Sequence, residues 1–182
     1  FPIMAGLAGV AEPLVRILLT EKWLPCVPYM QIYCFTLAFY PVHSCNLQAI
    51  NAMGRSDIFL KLEIIKKSYG LLSLIIAVAF FDSPIAIALT GIFTTVLSVF
   101  VNATPNKKLL GYSFADQLKD IFPAFSLSIT MFVGVLALSQ LLTLAPILEL
   151  FILVCVGAAY YLLASLAFRV SAFCELTNLL KG

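Results

Sequence analysis

Of 182 residues, 62% are hydrophobic and 11% charged, whereas a soluble domain carries about half apolar and about a quarter charged residues. That balance, with a mean hydropathy of +1.05, excludes a soluble domain. A net charge of +2, with the basic residues gathered between apolar runs, excludes nucleic acid as a partner.

Hydrocarbon admits only helices or closed barrels, because every backbone polar group must be satisfied internally. Barrel strands would read as alternating segments of about ten residues, and none occur. The expected fold class is therefore all-α, a polytopic membrane helix bundle of about six transmembrane helices. Breaks at charges and prolines divide the chain into spans at 1–20, 28–51, 62–81, 84–105, 121–142 and 147–168. The opening FPIMAG has neither an initiator Met nor a basic leader, so the chain is expected to begin mid-protein.

The first span contains AEPLVRILL. Glu12 and Arg16 lie four apart on one helical face, and an isolated charge in lipid costs several kcal/mol, so the two must pair or face water. Both an ion pair near the outer interface and a cavity-lining role remain open. The second span contains LAFYPVHSCNLQAIN, where Pro41 interrupts the helix and His43, Asn46, Gln48 and Asn51 follow. Broken helices often line transport pathways. His43 with Asn46 suits a wet cavity, a proton carrier or a satisfied packing residue.

GRSDIFLKLEIIKK then brings Arg55, Asp57, Lys61, Glu63, Lys66 and Lys67 together at a hairpin and the first turns of the third span. Asp57 with Lys61, and Glu63 with Lys66 and Lys67, have the spacing to pair. The cluster reads as a solvated, orienting group or as a basic rim (Arg55, Lys61, Lys66, Lys67) for lipid phosphate. In the fourth span Thr90, Thr94, Ser98 and Asn102 form a stripe at successive four-residue steps. It serves either as interhelical glue or as a polar lining. A cytoplasmic amphipathic loop is expected at 106–120, where Ser113 and Asp116 have capping-box spacing. Its short helix starts at Phe114 and lies along the membrane surface before Pro123 opens the fifth span. TLAPILE turns the chain into the sixth span, followed by a cytoplasmic tail at 169–182.

Orientation follows from the basic residues, which are retained on the cytoplasmic side. The segments 52–67, 106–120 and 169–182 hold nine of the eleven. That asymmetry puts the C-terminus in the cytoplasm. The five cysteines are odd in number and show no CxxC, so neither a disulfide framework nor a metal site is expected. No converging carboxylates, His or metal cluster supports catalysis, so an enzyme and a cofactor are not expected.

Taken together, AEPLVRILLTEKWLPCVPYMQI, NLQAINAMGRSD leading into KLEIIKK, and Asn102 followed by GYSFADQLKDIFP resemble the C-terminal part of a known family. It is the polysaccharide exporters, or Wzx-type oligosaccharide flippases, of the multidrug, oligosaccharidyl-lipid and polysaccharide exporter superfamily. The resemblance implies two lobes of about twelve to fourteen helices around a central cavity, of which these spans are the last six. It also implies alternating-access transport of lipid-linked oligosaccharide of the polyprenyl pyrophosphate type across the cytoplasmic membrane. The implied partners are that glycolipid, membrane lipids and the missing N-terminal lobe. The substrate path would then be lined by Glu12, Arg16, His43, Asn46 and Asn102, with the basic rim attracting the anionic substrate. One departure is Thr20, where family members often carry Gly at a turn. A drug or cation antiporter of the same superfamily, or a non-transporting assembly partner, remains an alternative. An antiporter should carry intramembrane carboxylates, and only Glu12 qualifies.

Overall fold

Prolines break the first two apolar runs. In the computed structural model, which describes residues 1–142 and 144–168, the first span is two short helices, α1 (Pro2–Gly9) and α2 (Ala11–Leu18). Pro13 has no N–H for the Gly9 carbonyl, and the ladder restarts with the Leu14 N–H on the Val10 carbonyl at 3.1 Å. A 3₁₀ helix, Glu21–Cys26, follows a turn at Thr20. The second span breaks at Phe39 into α3 (Val27–Ala38) and α4 (Tyr40–Ala52), because Pro41 cannot donate to the Leu37 carbonyl. This is the interruption that Pro41 predicts.

Beyond a turn with Gly54 at φ 70°, α5 runs Ser56–Phe80, α6 Pro84–Leu110, α7 Phe114–Leu141 and α8 Pro146–Ala167. Three of these, α6, α7 and α8, are long and apolar enough to cross a membrane. By contrast, α5 carries charge as far as Lys67. Its uncharged remainder at 68–80 would cover only about 20 Å of a hydrocarbon core about 30 Å thick. Large apolar side chains such as Leu72, Phe93 and Phe151 stand exposed on α5, α6 and α8. The described residues therefore make a helical membrane protein. The expected tail at 169–182, with Arg169 and Lys181, lies outside the described residues.

The loop expected at 106–120 is almost entirely helical. α6 continues through Pro105 to Leu110, and only Gly111–Ser113 remain as a turn, with Gly111 left-handed at φ 70°. The capping box forms as predicted. The Ser113 N–H donates to Asp116 Oδ2 at 3.1 Å, and the Asp116 N–H donates to Ser113 Oγ at 3.3 Å. The helix starting at Phe114 then passes through Pro123 to Leu141 without a separate surface segment. A single proline removes one donor, and a long helix absorbs that loss.

The chain divides into two compact units, residues 32–120 and residues 1–31 with 121 onward. In the first of these α4, α5 and α6 pack pairwise, and Phe100 stacks on Phe114 with centroids 4.3 Å apart. In the other, Val10, Met131, Val135 and Leu153 form a buried cluster. Val135 is seated against the backbones of Gly9 and Gly157, where an added Cβ would lie 2.9 Å and 3.3 Å from its methyls. Small residues let these helices approach closely, which is the main source of helix association in lipid.

Candidate functional site

α6 builds one wall of a cavity of about 470 Å³, lined by both polar and apolar side chains, that the end of α3 together with α4 and α5 completes. The four-residue step of its polar side chains keeps them on one face, and that face meets both neighbours. Ser98 Oγ lies 2.6 Å from the Tyr69 hydroxyl of α5. Asn102 Nδ2 lies 3.3 Å from His43 Nδ1 of α4. An amide nitrogen only donates, so this orientation makes Nδ1 the acceptor and assigns the proton of the neutral ring to Nε2. Ser98 and Asn102 thus bond across helices and line the cavity with Thr94, whereas the Thr90 and Thr94 hydroxyls donate to carbonyls of α6 itself.

From α5, Lys66 and Glu63 enter the same cavity as an ion pair, both partly buried. Lys67 lines a neighbouring groove between α5 and α6. At the head of α5, Arg55 Nε pairs with Asp57 Oδ1 at 3.0 Å. Their mutual hydrogen bonds raise the Arg55 guanidinium and lower the Asp57 carboxyl from their ordinary values. Asp57 thus takes Arg55 rather than the expected Lys61, because residue 55 precedes the helix and its side chain folds back over the first turn. Glu63 takes Lys66 and not Lys67. Among the described residues of the predicted basic rim, Lys61 and Lys67 make no ion pair.

Asn46, one turn beyond His43, does not line this cavity. It is buried and exchanges two amide hydrogen bonds with Gln117 of α7: Asn46 Nδ2 donates to Gln117 Oε1 at 3.1 Å, and Gln117 Nε2 donates to Asn46 Oδ1 at 2.9 Å. Asn106 of α6 adds a third bond, Nδ2 to Asn46 Oδ1 at 2.6 Å. Three neutral carboxamides therefore tie together α4, the last turn of α6 and the first turn of α7. Among the described residues of these helices, Asn102 Oδ1 and Asn106 Oδ1 stay without a partner, both fully buried. Each such orphan costs on the order of 1–3 kcal/mol. Sequence reasoning did not single out Asn106 or Gln117. Asn106 is the next four-residue step after Asn102, but Lys107 and Lys108 beside it read as the start of a loop. Gln117 gave no signal within a charged helix start.

Glu12 and Arg16 belong to the other unit. They form the expected pair, Arg16 Nη2 to Glu12 Oε1 at 2.8 Å, on the exposed side of α2, while Ala11, Pro13 and Val15 are buried.

These features define a helical membrane protein with hydrogen-bonded polar side chains around a cavity between α4, α5 and α6. The chain is similar to the lipopolysaccharide biosynthesis protein WzxC of Escherichia coli (strain K12), at 27% identity over 145 residues, covering 78% of this chain and 29% of WzxC. It thus spans less than a third of the length of that relative. No family model matches the chain. No solved structure matches it with significance.

Proposed function

We propose that this chain is part of a membrane transporter that flips lipid-linked oligosaccharide or polysaccharide repeat units across the cytoplasmic membrane by alternating access, in the synthesis of cell-surface polysaccharide or lipopolysaccharide. The observation that carries the reading is the similarity to WzxC along most of the chain. The polar side chains around the cavity add support, since polar groups inside an apolar bundle are costly and mark a path for something polar.

In this reading the chain crosses the membrane six times, with α1–α2 and α3–α4 each making one broken crossing and α5 crossing over 62–81, where Glu63 and Lys66 face the cavity between helices rather than lipid. The C-terminus is cytoplasmic, and the remainder of the transporter, including an N-terminal lobe, completes the central cavity. The protein works as a transporter and not as an enzyme. Glu12, Arg16, His43 and Asn102 lie along the substrate path, while Asn46, tied to Asn106 and Gln117, holds the helices beside it. Arg16 suits an anionic group because its charge persists at physiological pH and its planar fork donates paired hydrogen bonds. Of the rim, Lys61 and Lys67 supply net positive charge for the diphosphate, while Arg55 and Lys66 are offset by Asp57 and Glu63.

The test is loss of the full-length protein in its own cell. Surface polymer should disappear while polyprenyl-diphosphate-linked repeat units accumulate on the cytoplasmic leaflet, and a restored copy should reverse both. Normal surface polymer in the absence of the protein would overturn the proposal.

A further inference from the structure

The outer face of α5 carries two grooves. The larger, about 630 Å³, runs between α5 and α6, with Lys67, Gly70 and Leu74 on one side and Thr90, Thr94 and Ser98 on the other. The smaller, about 350 Å³, lies along α5 beside Ile64 and Ser68. Glu63, Lys67 and Leu71 line both. Four-residue steps put these three on one line along the helix. They therefore form a ridge, with Lys67 at its middle and a groove on either side.

Polarity in these grooves is confined to one end. Glu63 is held by Lys66, and among the described residues Lys67 makes no ion pair, so the ridge has one net positive charge. The hydroxyls along the walls are already engaged. Ser68, Thr90 and Thr94 donate to carbonyls of their own helices, and Ser98 and Tyr69 bond each other. Below Lys67 the walls thus ask for no polar ligand. Leu71 and Leu74 are exposed, and Gly70, with nothing within 4 Å of an added Cβ, leaves the floor of the larger groove open.

One cation above two apolar grooves matches an amphiphile with one anionic group and two chains. Lysine keeps its stem on apolar surface while its ammonium reaches the level of lipid phosphates, where it acts as a point charge. A phosphodiester carries one negative charge, which Lys67 neutralises. A second negative charge, as on a diphosphate, would find no free cation on the ridge and would lie beside the Glu63 carboxylate.

We infer that this ridge holds a resident anionic two-chain phospholipid, with its phosphodiester on Lys67 and one acyl chain in each groove, covering the seam between α5 and α6. The inference is independent of the transporter reading. While the lipid is bound it neutralises Lys67, and Lys61 is then the unpaired lysine of the rim left to draw a diphosphate.

Native mass spectrometry of the full-length protein released from detergent micelles tests this, with phosphatidylglycerol, phosphatidylcholine, lyso-phosphatidylglycerol and a polyprenyl diphosphate as probes. Occupancy by phosphatidylglycerol should exceed that by phosphatidylcholine and by the lyso form several-fold. It should fall about fivefold in Lys67→Gln, the contribution of one lysine near an anionic lipid surface, and persist in Lys67→Arg. Gly70→Leu, which fills the larger groove without changing charge, should also reduce it several-fold. Lys119→Gln, which removes a like charge outside both grooves, should leave it unchanged. Equal occupancy by phosphatidylcholine or by the lyso form overturns the inference, as does phosphatidylglycerol binding that survives Lys67→Gln or Gly70→Leu. Loss in Lys119→Gln as large as in Lys67→Gln would show diffuse attraction in place of a site. Displacement of phosphatidylglycerol by the polyprenyl diphosphate at equal concentration would give the grooves to a different lipid, and no retention of any probe would mean that the rest of the protein covers them; either result also overturns the inference.

Discussion

Thr20 sits at φ 74°, ψ 167°, and among the described residues it is the non-glycine with positive φ. A β-branched side chain in that region is held at a cost of about 1–3 kcal/mol, since glycine alone visits it freely. Thr20→Gly should therefore stabilise the protein by about 1 kcal/mol, read as a higher unfolding midpoint in detergent; a lower midpoint would contradict the strain. The resemblance pointed to this position as a glycine turn, so its importance was legible, although the residue type conceals it. Tyr112 is a second local case. Burial, and then the bond from its hydroxyl to Asp120 Oδ2 at 2.6 Å, push it up to about 12. The folded state favours the neutral phenol. Its contribution is thus complete below the ordinary phenol value of about 10 and is lost as pH rises from there through about 12. The stability difference between wild type and Tyr112→Phe should be constant to about pH 10 and change only above it. A difference that changed between neutral pH and pH 9 would refute the assignment.

At the scale of helices, contacts depend on where side chains are small. Gly9 has Val135 against it, with an added Cβ 2.9 Å from one methyl, while Gly70 on α5 has nothing within 4 Å. Gly9→Ala should cost about 1–3 kcal/mol by overpacking. Gly70→Ala should be neutral or stabilising by up to about 1 kcal/mol, because it restores helix propensity. Equal midpoints for the two variants would show that α1 does not pack on α7 as described. Neither contrast is visible in the sequence, where both glycines sit in apolar runs. Breaks were legible because proline acts locally: Pro41 and Pro13 remove particular hydrogen bonds. Pro123 shows the limit of the same rule, since α7 runs through it. The capping box at Ser113 was legible for the same local reason. Asn46, Asn106 and Gln117 were not, because their partnership joins residues about 60 and 70 positions apart, and no local spacing encodes that.

For the whole molecule, composition alone placed the chain in a membrane, and the exposed apolar faces of its long helices agree. The number of crossings was harder to read. Hydropathy marks α6, α7 and α8, whereas the broken pairs α1–α2 and α3–α4 and the charged head of α5 dilute the same signal with the polar residues that give the chain its interior. Of the helices around the cavity, α6 keeps a span-like hydropathy despite its polar face, whereas α4 and the charged head of α5 do not. The central claim is that the complete protein moves a glycolipid head group through this interior. Reconstitution into sealed vesicles containing lipid-linked oligosaccharide in both leaflets measures that directly, using an impermeant glycan-cleaving enzyme added outside, with and without an imposed ion gradient. The account predicts that the full-length protein exposes the entire glycolipid pool to cleavage, and that an Asn102→Leu variant retaining the wild-type unfolding midpoint does so more slowly. Cleavage confined to the outer-leaflet pool with folded wild-type protein, under both conditions, would contradict it.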